Sequence, residues 1–300
     1  MRLASIHIYP LKAARAVDLD ESRVEPCGLA GDRRWLLVDE DGRFISQREE
    51  PALARLVVSC GPDRIRVSVE GRTGLVIAEP PAGAALLKVR VWSSVLLAAT
   101  AGPEPDAWFS AYLGRTARLV YLDDPTRRPV DPEYCRDGDV VSFADGYPLL
   151  LTSAGSLSEL GGWLAADGET PVPMTRFRPS VVVAGAPPWA EDRWRRIRIG
   201  AVPFRVAKPC GRCVVTTTDQ VTGERGRQPL KMLGRRRRFG QALVFGQNLI
   251  PDAGGVIRVG DPVEILAAGQ SLAGRVPSPA GSGCGRRRPP AAHPRPGPGR

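Results

Sequence analysis

Histidine is nearly absent from this chain of 300 residues, and long apolar runs are missing altogether. Only His7 and His293 could supply an imidazole, so a metal centre built mainly on histidines is not expected. No stretch approaches the roughly 18 apolar residues that a membrane-spanning helix needs. Residues 1–10 also lack the extended apolar run of a signal sequence. These absences predict a soluble, cytoplasmic protein that does not contact a membrane.

Cysteine is present but too sparse for a disulfide scaffold. Six cysteines in 300 residues are ordinary for an intracellular chain. The fold must therefore depend on one large apolar core or two smaller ones, which a hydrophobic content of 43% can supply. The six are Cys27, Cys60, Cys135, Cys210, Cys213 and Cys284.

Positive charge is abundant but unevenly distributed. The net charge is +10, yet residues 271–300 hold six arginines and no acidic residue, which leaves +4 for residues 1–270. Aromatic residues are not interleaved with the basic ones, so no nucleic-acid partner is expected. Residues 271–300 also contain seven prolines and six glycines, a composition that cannot form a packed core. Residues 269–300 are therefore predicted to be a disordered tail.

Short β-branched runs separated by Gly, Pro and Asp predict a mainly β (α+β) fold with few helices. Asp106 is predicted to cap a helix over 107–113, and Ser156 with Glu159 has the spacing of a capping box. The predicted strands are Leu3–Ile8, Trp35–Asp39, Arg64–Val69, Val89–Val91, Arg118–Tyr121, Ser180–Val183, Arg196–Ile199, Val202–Ala207, Cys213–Thr217 and Pro262–Leu266.

A Pro- and Gly-rich stretch, Ala101–Pro105, interrupts the series of strands. It indicates a smaller β domain over 1–120 and a second, β-barrel-like domain over 126–268. Within the first domain, Asp41 and Gly42 separate two apolar runs. Both residues tolerate positive φ, so this pair predicts a β-hairpin turn.

Residues 208–219 read KPCGRCVVTTTD and are the segment with the strongest chemical signal. Cys210 and Cys213 lie beside Lys208 and Arg212. A nearby cation favours the thiolate, which is both the nucleophile and the metal-binding form of cysteine. The segment is therefore a candidate for catalysis or for metal binding.

Three kinds of site are compatible with this pair of thiols. A zinc half-site would need two further thiols or imidazoles, and only scattered candidates remain. A redox dithiol of the thioredoxin type normally opens a helix, whereas residues 214–218 are expected to be extended. One thiolate bound to a metal cofactor is the third possibility. The residues alone leave the three open.

Several segments in order resemble the MOSC family. Near the N-terminus, Ile8–Lys12, Gly28–Trp35 and Gln47–Pro51 resemble the MOSC N-terminal β-barrel domain. The pattern is similar to that of the amidoxime-reducing molybdenum enzymes of mitochondria and their bacterial counterparts. The segments that resemble the MOSC domain itself are Tyr147–Ser153, Arg176–Pro179, Glu191–Trp194, Cys210–Cys213, Thr216–Asp219, Thr222–Gly223, Phe245–Asn248 and Val259–Pro262.

The resemblance implies a molybdenum cofactor, Mo-molybdopterin, and assigns residues to it. The resemblance implies Cys213 as the protein ligand of the metal and as the catalytic residue, and thiolate ligation of a redox-active metal is in line with general coordination chemistry. Two positions depart from the family pattern: Ala13 replaces a usual serine, and Ser180 replaces a usual asparagine. The implied cofactor-binding residues are Lys12, Arg33, Gly146, Tyr147, Arg178 and Ser180.

The implied activity is an oxidoreductase that reduces small N-hydroxylated compounds with electrons from a separate donor protein of the reductase or ferredoxin type. No ferredoxin-like cysteine cluster follows residue 268, which is why the donor is expected to be separate. One alternative is a sulfur carrier that holds a cysteine persulfide, since MOSC domains also occur in sulfurases fused to a pyridoxal-phosphate domain. A non-catalytic module that binds the molybdenum cofactor is the other alternative.

Overall fold

The computed structural model describes residues 1–271, and most of the tail that we predicted to be disordered lies outside the described residues. Strands account for 41% of the structure and helical segments for 19%, which confirms a mainly β fold. No helix in residues 1–271 combines the length and the apolar character needed to cross a membrane.

The described residues contain nineteen strands, three α-helices and five 3₁₀ turns. The helices are α1 (Pro103–Leu113), α2 (Ala154–Ala166) and α3 (Leu230–Arg236), and the 3₁₀ turns span Pro51–Arg55, Pro125–Arg127, Met174–Phe177, Ala190–Arg193 and Val214–Thr217. The strands are β1 (Arg2–Ile8), β2 (Val17–Leu19), β3 (Glu21–Glu25), β4 (Gly28–Leu29), β5 (Trp35–Val38), β6 (Val57–Gly61), β7 (Arg64–Val69), β8 (Arg72–Ala78), β9 (Leu86–Val91), β10 (Ser94–Thr100), β11 (Arg118–Tyr121), β12 (Leu149–Ser153), β13 (Val181–Ala184), β14 (Trp194–Ile199), β15 (Val202–Gly211), β16 (Arg238–Phe239), β17 (Ala242–Pro251), β18 (Gly255–Arg258) and β19 (Val263–Ala268).

The largest sheet joins strands from both ends of the described chain. Its order is β19-β14-β15-β17-β12-β13-β1-β2, with β16 paired to β17. Strand β1 runs antiparallel to β13. Its buried residues Leu3, Ile6 and Ile8 enter the same core as Val181 and Phe204. The first strand of the chain is thereby held in register with strands from its second half.

The other strands form three smaller sheets: β5-β11-β10-β9, β18-β3-β4 and β6-β7-β8. Helix α1 packs its buried Phe109 into a core that contains Trp35, Leu37 and Leu119. This core is separate from that of the large sheet.

The predicted hairpin at Asp41 and Gly42 is confirmed. The N–H of Asp39 donates to the carbonyl of Arg43 at 2.8 Å, and Gly42 has a φ of +75°. Glycine is required there because a Cβ atom would lie 2.4 Å from the carbonyl oxygen of Lys88. The chain after this turn reaches the cleft described below, where Phe44 is the first residue to line it.

The strand predicted over Cys213–Thr217 was wrong, because residues 214–217 form a 3₁₀ turn. The hydroxyl of Thr216 donates to the carbonyl of Cys213 at 2.9 Å, and that of Thr217 donates to Val214 at 2.8 Å. These local bonds compete with strand pairing. The β-branched composition therefore indicated a strand where the threonine hydroxyls stabilise a turn instead.

Two predicted helix starts also differ from the structure. Helix α1 begins at Pro103, whose fixed φ suits the first helical turn. Asp106 lies inside that helix, and its carboxylate accepts the N–H of Leu119 at 2.8 Å. For α2 the cap is Ser153, which accepts the N–H of Ser156 at 3.5 Å. In both helices the residue predicted as the cap, Asp106 or Ser156, lies inside the helix instead of before it.

Candidate cofactor site and active site

One cleft collects side chains from both halves of the chain. Its empty volume is about 950 Å³ and it is open to solvent. Strand β15 and the segment after it form one wall, and the segment after the Asp41–Gly42 hairpin forms part of another. Six of the seven residues assigned from the sequence line it: Lys12, Arg33, Gly146, Tyr147, Arg178 and Cys213.

The two thiols of this cleft are not equivalent. Cys210 lies in β15 and Cys213 just before the 3₁₀ turn, and both are partly exposed free thiols. The Arg212 guanidinium donates to the sulfur of Cys210 at 2.8 Å. The sulfur of Cys213 has no hydrogen-bond partner within residues 1–271. Of the two, Cys213 is therefore the thiol left open to a ligand.

The described residues do not provide a metal site built from protein groups alone. Nowhere in residues 1–271 do three or more His, Cys, Asp or Glu side chains come together in a way that could hold a metal ion. A structural zinc site needs four such ligands. The side chains of residues 1–271 thus do not supply the ligand set of a structural zinc site.

Lys12 is the most deeply buried cation of the cleft. Its ammonium donates to the carbonyl of Phe143 at 2.7 Å and to the carboxylate of Asp145 at 2.6 Å. Burial lowers the pKa of Lys12 to about 8, although the charge of Asp145 acts in the opposite direction. Because an ammonium carries three N–H groups, one remains for an anionic ligand.

Anion binding in this cleft should depend on pH through Lys12. Only the protonated amine attracts an anion, so affinity should be full well below pH 8 and should fall as the pH rises through 8. We expect the Kd for sulfate, a dianion over this whole range, to rise about tenfold between pH 7 and pH 9 in the cofactor-free protein. Isothermal titration calorimetry measures this. The Lys12→Arg variant stays charged and should bind equally at both pH values, whereas a flat wild-type profile would contradict the role of Lys12.

Arg33 and Arg178 share one aromatic ring. Their guanidinium carbons lie 4.4 and 4.2 Å from the ring centroid of Tyr9. Arg33 also pairs with the buried carboxylate of Asp32 at 2.5 Å. Burial lowers the pKa of Arg178 to about 10, which leaves it charged at neutral pH. The pair thus presents two fixed positive charges to the cleft, as a phosphate group requires.

A polar network holds Arg178 in place. Its guanidinium donates to the carbonyl of Ala14 at 2.8 Å and to the side chain of Gln220 at 2.9 Å. Gln220 exchanges two hydrogen bonds of 3.1 Å with Gln47. Both glutamines are buried, so the network is shielded from water and rigid.

The guanidinium of Arg128 holds the loop before β12 in place through hydrogen bonds. This buried guanidinium donates to the carbonyls of Ser142, Ala144 and Asp145. The backbone N–H groups of residues 145–147 have no partner within the described residues. Consecutive free N–H groups are suited to anion binding. Gly146 and Tyr147 therefore offer backbone donors to the cleft.

Ser180 does not line the cleft. Its side chain is fully buried, and its hydroxyl accepts the N–H of Leu150 at 3.2 Å. Its backbone carbonyl accepts the N–H of His7 at 2.9 Å. Ser180 thus links β12 and β1 through hydrogen bonds beside the cleft. It does not lie together with the other six residues that were assigned from the sequence.

Several residues that line the cleft, or that hold its lining in place, were not predicted from the sequence. Asp145 directly precedes a residue that was assigned, and Gln47 begins a segment that carried the family resemblance. Those two positions could have been found from their neighbours. Arg128, Gln220 and Trp92 carry no such signal, because their roles depend on contacts between distant segments.

Two family models match this chain. The family model of the MOSC N-terminal beta barrel domain matches residues 1–116. The model of the MOSC domain matches residues 138–264. Together they cover both groups of residues that line the cleft.

Individual proteins are similar to this chain over most of its length. Mitochondrial amidoxime-reducing component 1 of Homo sapiens is 31% identical over 283 residues, which cover 88% of this chain and 82% of that protein. The Mus musculus protein of the same name is 32% identical with the same coverage. Molybdenum cofactor sulfurase of Danio rerio is 29% identical over 259 residues, 78% of this chain but only 30% of the sulfurase. This chain therefore belongs to the MOSC family.

Proposed function

We propose that this protein is a molybdenum-cofactor-dependent reductase of small N-hydroxylated compounds. The observation that carries the proposal is the cleft itself, in which the free thiol of Cys213 lies with the fixed cations Lys12, Arg33 and Arg178. A thiolate suits molybdenum, and cations with backbone donors suit the phosphate of molybdopterin. Similarity to amidoxime-reducing components supports the same choice.

The roles of the protein groups follow from their positions. The cofactor, when bound, supplies the two-electron reduction of an N–O bond. Cys213 would hold the metal, while Lys12, Arg33 and Arg178 would neutralise the phosphate. The N–H groups of Gly146 and Tyr147 would fix its orientation. The protein thus contributes binding, orientation and electrostatics.

The overall reaction requires a source of electrons. An amidoxime, two electrons and two protons give an amidine and water, with the N–O bond broken and the oxygen released as water. We assign the electrons to a separate donor protein of the reductase or ferredoxin type.

A sulfur carrier is the second candidate, and Cys210 is the observation that favours it. Arg212 donates to its sulfur at 2.8 Å, a contact that would stabilise a thiolate or a persulfide anion. The similarity to a molybdenum cofactor sulfurase is in line with this chemistry. In this case the cysteine would hold a labile sulfur atom and the protein would carry out no reduction.

A single preparation of the protein distinguishes the reductase from the sulfur carrier and from a non-catalytic module. The chain is produced in a host that makes the cofactor, and molybdenum and pterin are quantified. Turnover is then tested with benzamidoxime and reduced methyl viologen. Stoichiometric molybdenum with formation of benzamidine supports the reductase. Bound cofactor without turnover would indicate a non-catalytic module, and a labile persulfide without molybdenum would indicate the sulfur carrier.

A further inference from the structure

A tryptophan at the tip of a β-hairpin reaches the rim of the cleft. Val91 pairs with Ser94, so Trp92 and Ser93 form a two-residue turn between β9 and β10. Trp92 has a φ of +55°, a conformation that favours glycine at this kind of turn. Its side chain is 41% exposed and lines the cleft. A large aromatic residue held at such a position indicates a function rather than a folding requirement.

Three neighbours fix the indole of Trp92. The guanidinium of Arg48 lies 4.2 Å from its ring centroid. The ring of Phe44 meets it at 4.7 Å in an edge contact. The indole N–H is 3.4 Å from Oδ1 of Asp145. All four side chains line the cleft that contains Cys213.

The Arg48 guanidinium is a planar cation that contains an N–C–N unit, and its position shows that the indole face has room for a flat group of that size. An amidoxime carries a planar N–C–N group of similar size and also has N–H donors. Asp145 is placed to receive them, because Oδ1 is held by Lys12 while Oδ2 has no hydrogen-bond partner within residues 1–271. The carboxylate side chain is 73% exposed, so a ligand can reach it.

We propose that Trp92 and Asp145 form the substrate-recognition site of the cleft, which Arg48 covers when no substrate is bound. The planar N–C–N group of an amidoxime stacks on Trp92 in the place of the Arg48 guanidinium and donates an N–H to Oδ2 of Asp145. The inference rests on the proposed reductase function. It adds a preference: N-hydroxylated compounds with a planar N–C–N group bind better than those without one.

The test compares two substrates in the cofactor-loaded enzyme, with reduced methyl viologen as donor. Benzamidoxime has the planar group, and N,N-diethylhydroxylamine lacks both that group and an N–H. The Trp92→Leu variant should raise the ratio of the two KM values, benzamidoxime over diethylhydroxylamine, about fivefold to tenfold. The Arg48→Ala variant removes the competing guanidinium and should lower that ratio about twofold to fivefold.

A second tryptophan provides matched controls. Trp108 also has an arginine over its ring, with the guanidinium of Arg72 at 5.3 Å, but neither residue lines the cleft. The Trp108→Leu and Arg72→Ala variants should leave the ratio of KM values unchanged. Equal effects of Trp92→Leu and Trp108→Leu would overturn the proposal. An Arg48→Ala variant with a raised ratio would do so as well, because it would show that Arg48 assists binding.

Binding without turnover keeps this inference separate from the proposed function. Benzamidoxime should quench the fluorescence of the wild-type protein and quench that of Trp92→Leu more weakly, at a higher Kd. If the loaded wild type reduces neither compound, the reductase proposal fails, and this difference in quenching still supports the recognition site. If wild type and Trp92→Leu bind benzamidoxime equally, the recognition site is refuted even when turnover is present.

Discussion

In the proposed reductase, replacing Cys213 by serine should remove one sulfur ligand of molybdenum and abolish activity. Serine keeps the size of the side chain but exchanges a soft thiolate for a hard oxygen donor, so the sulfur ligand is lost and the electronic properties of the metal change. Loss of groups that only support a ligand already costs about 10- to 100-fold in metal affinity or activity. Loss of the ligand itself should therefore lower turnover of benzamidoxime at least about 100-fold.

X-ray absorption spectroscopy measures the number of sulfur ligands to molybdenum, and it therefore tests the role of Cys213 without turnover. The family resemblance implies three sulfur ligands to molybdenum, two from the cofactor and one from the protein. Their number should fall by one in Cys213→Ser. Pterin should largely remain, because the cations Lys12, Arg33 and Arg178 that would hold the phosphate are unchanged.

The matched control is Cys210→Ser, which lies in the same cleft but whose sulfur already accepts a hydrogen bond from Arg212. It should keep the full set of sulfur ligands and most of the activity. An unchanged coordination shell in Cys213→Ser would refute the ligand assignment. A loss of sulfur in Cys210→Ser alone would transfer the ligand role to Cys210.

Strands rich in β-branched and aromatic residues were predictable from the sequence. Arg64–Val69 and Arg118–Tyr121 were predicted with the bounds that the structure has. Strand β12 was missed because its sequence, Leu-Leu-Leu-Thr-Ser, has only one β-branched residue, and a short buried run of leucines cannot be told from part of a helix by its pattern. The pairing of β1 with β13 was also beyond prediction, since register between distant strands depends on tertiary packing.

The candidate site was predictable where a residue type alone suggests its chemistry. Cys213 stood out through its spacing from Cys210, and the assigned cations came from segments with a family resemblance. The residues that form ion pairs or ring contacts with these assigned residues could not be predicted in this way. Lys12 and Asp145 are 133 positions apart, and only the fold shows that they form an ion pair. The same holds for Arg48 and Trp92, whose contact depends on a hairpin turn reaching the cleft.

A buried acidic cluster under α2 and α3 should set much of the pH dependence of stability. Glu191 is fully buried; Ser156 donates to its Oε1 at 2.6 Å, and its Oε2 has no partner within the described residues. Its neighbour Asp192 accepts hydrogen bonds from Arg237 at 2.7 Å and from Gln247 at 2.9 Å. Arg237 is thereby paired with Asp192, and Glu191 lacks a cation of its own. Burial, assisted by the charge of Asp192, raises the pKa of Glu191 from 4.5 to about 7.

The Glu191→Gln variant should be more stable than the wild type above pH 7 and equally stable near pH 4.5. The folded wild type binds a proton more tightly than the unfolded chain, so the contribution of Glu191 to stability is full below pH 4.5 and is lost as pH rises through 7. A shift from 4.5 to about 7 corresponds to about 3 kcal/mol. Glutamine stays neutral and can still accept from Ser156, so it should avoid most of this loss.

Urea unfolding at pH 4.5, 6 and 8 measures the predicted difference between Glu191→Gln and wild type. The difference should grow from near zero to about 2–3 kcal/mol, because only the wild type has to ionise a buried carboxyl group. Other acidic residues titrate in the same range, but they are common to both proteins and cancel in the comparison. The exposed Glu159, in the same helix α2 as Ser156, provides the control: Glu159→Gln should stay within about 0.5 kcal/mol of wild type at every pH. A difference for Glu191→Gln that does not vary with pH would show that Glu191 already carries its charge in the folded protein, stabilised by Arg237 despite its burial.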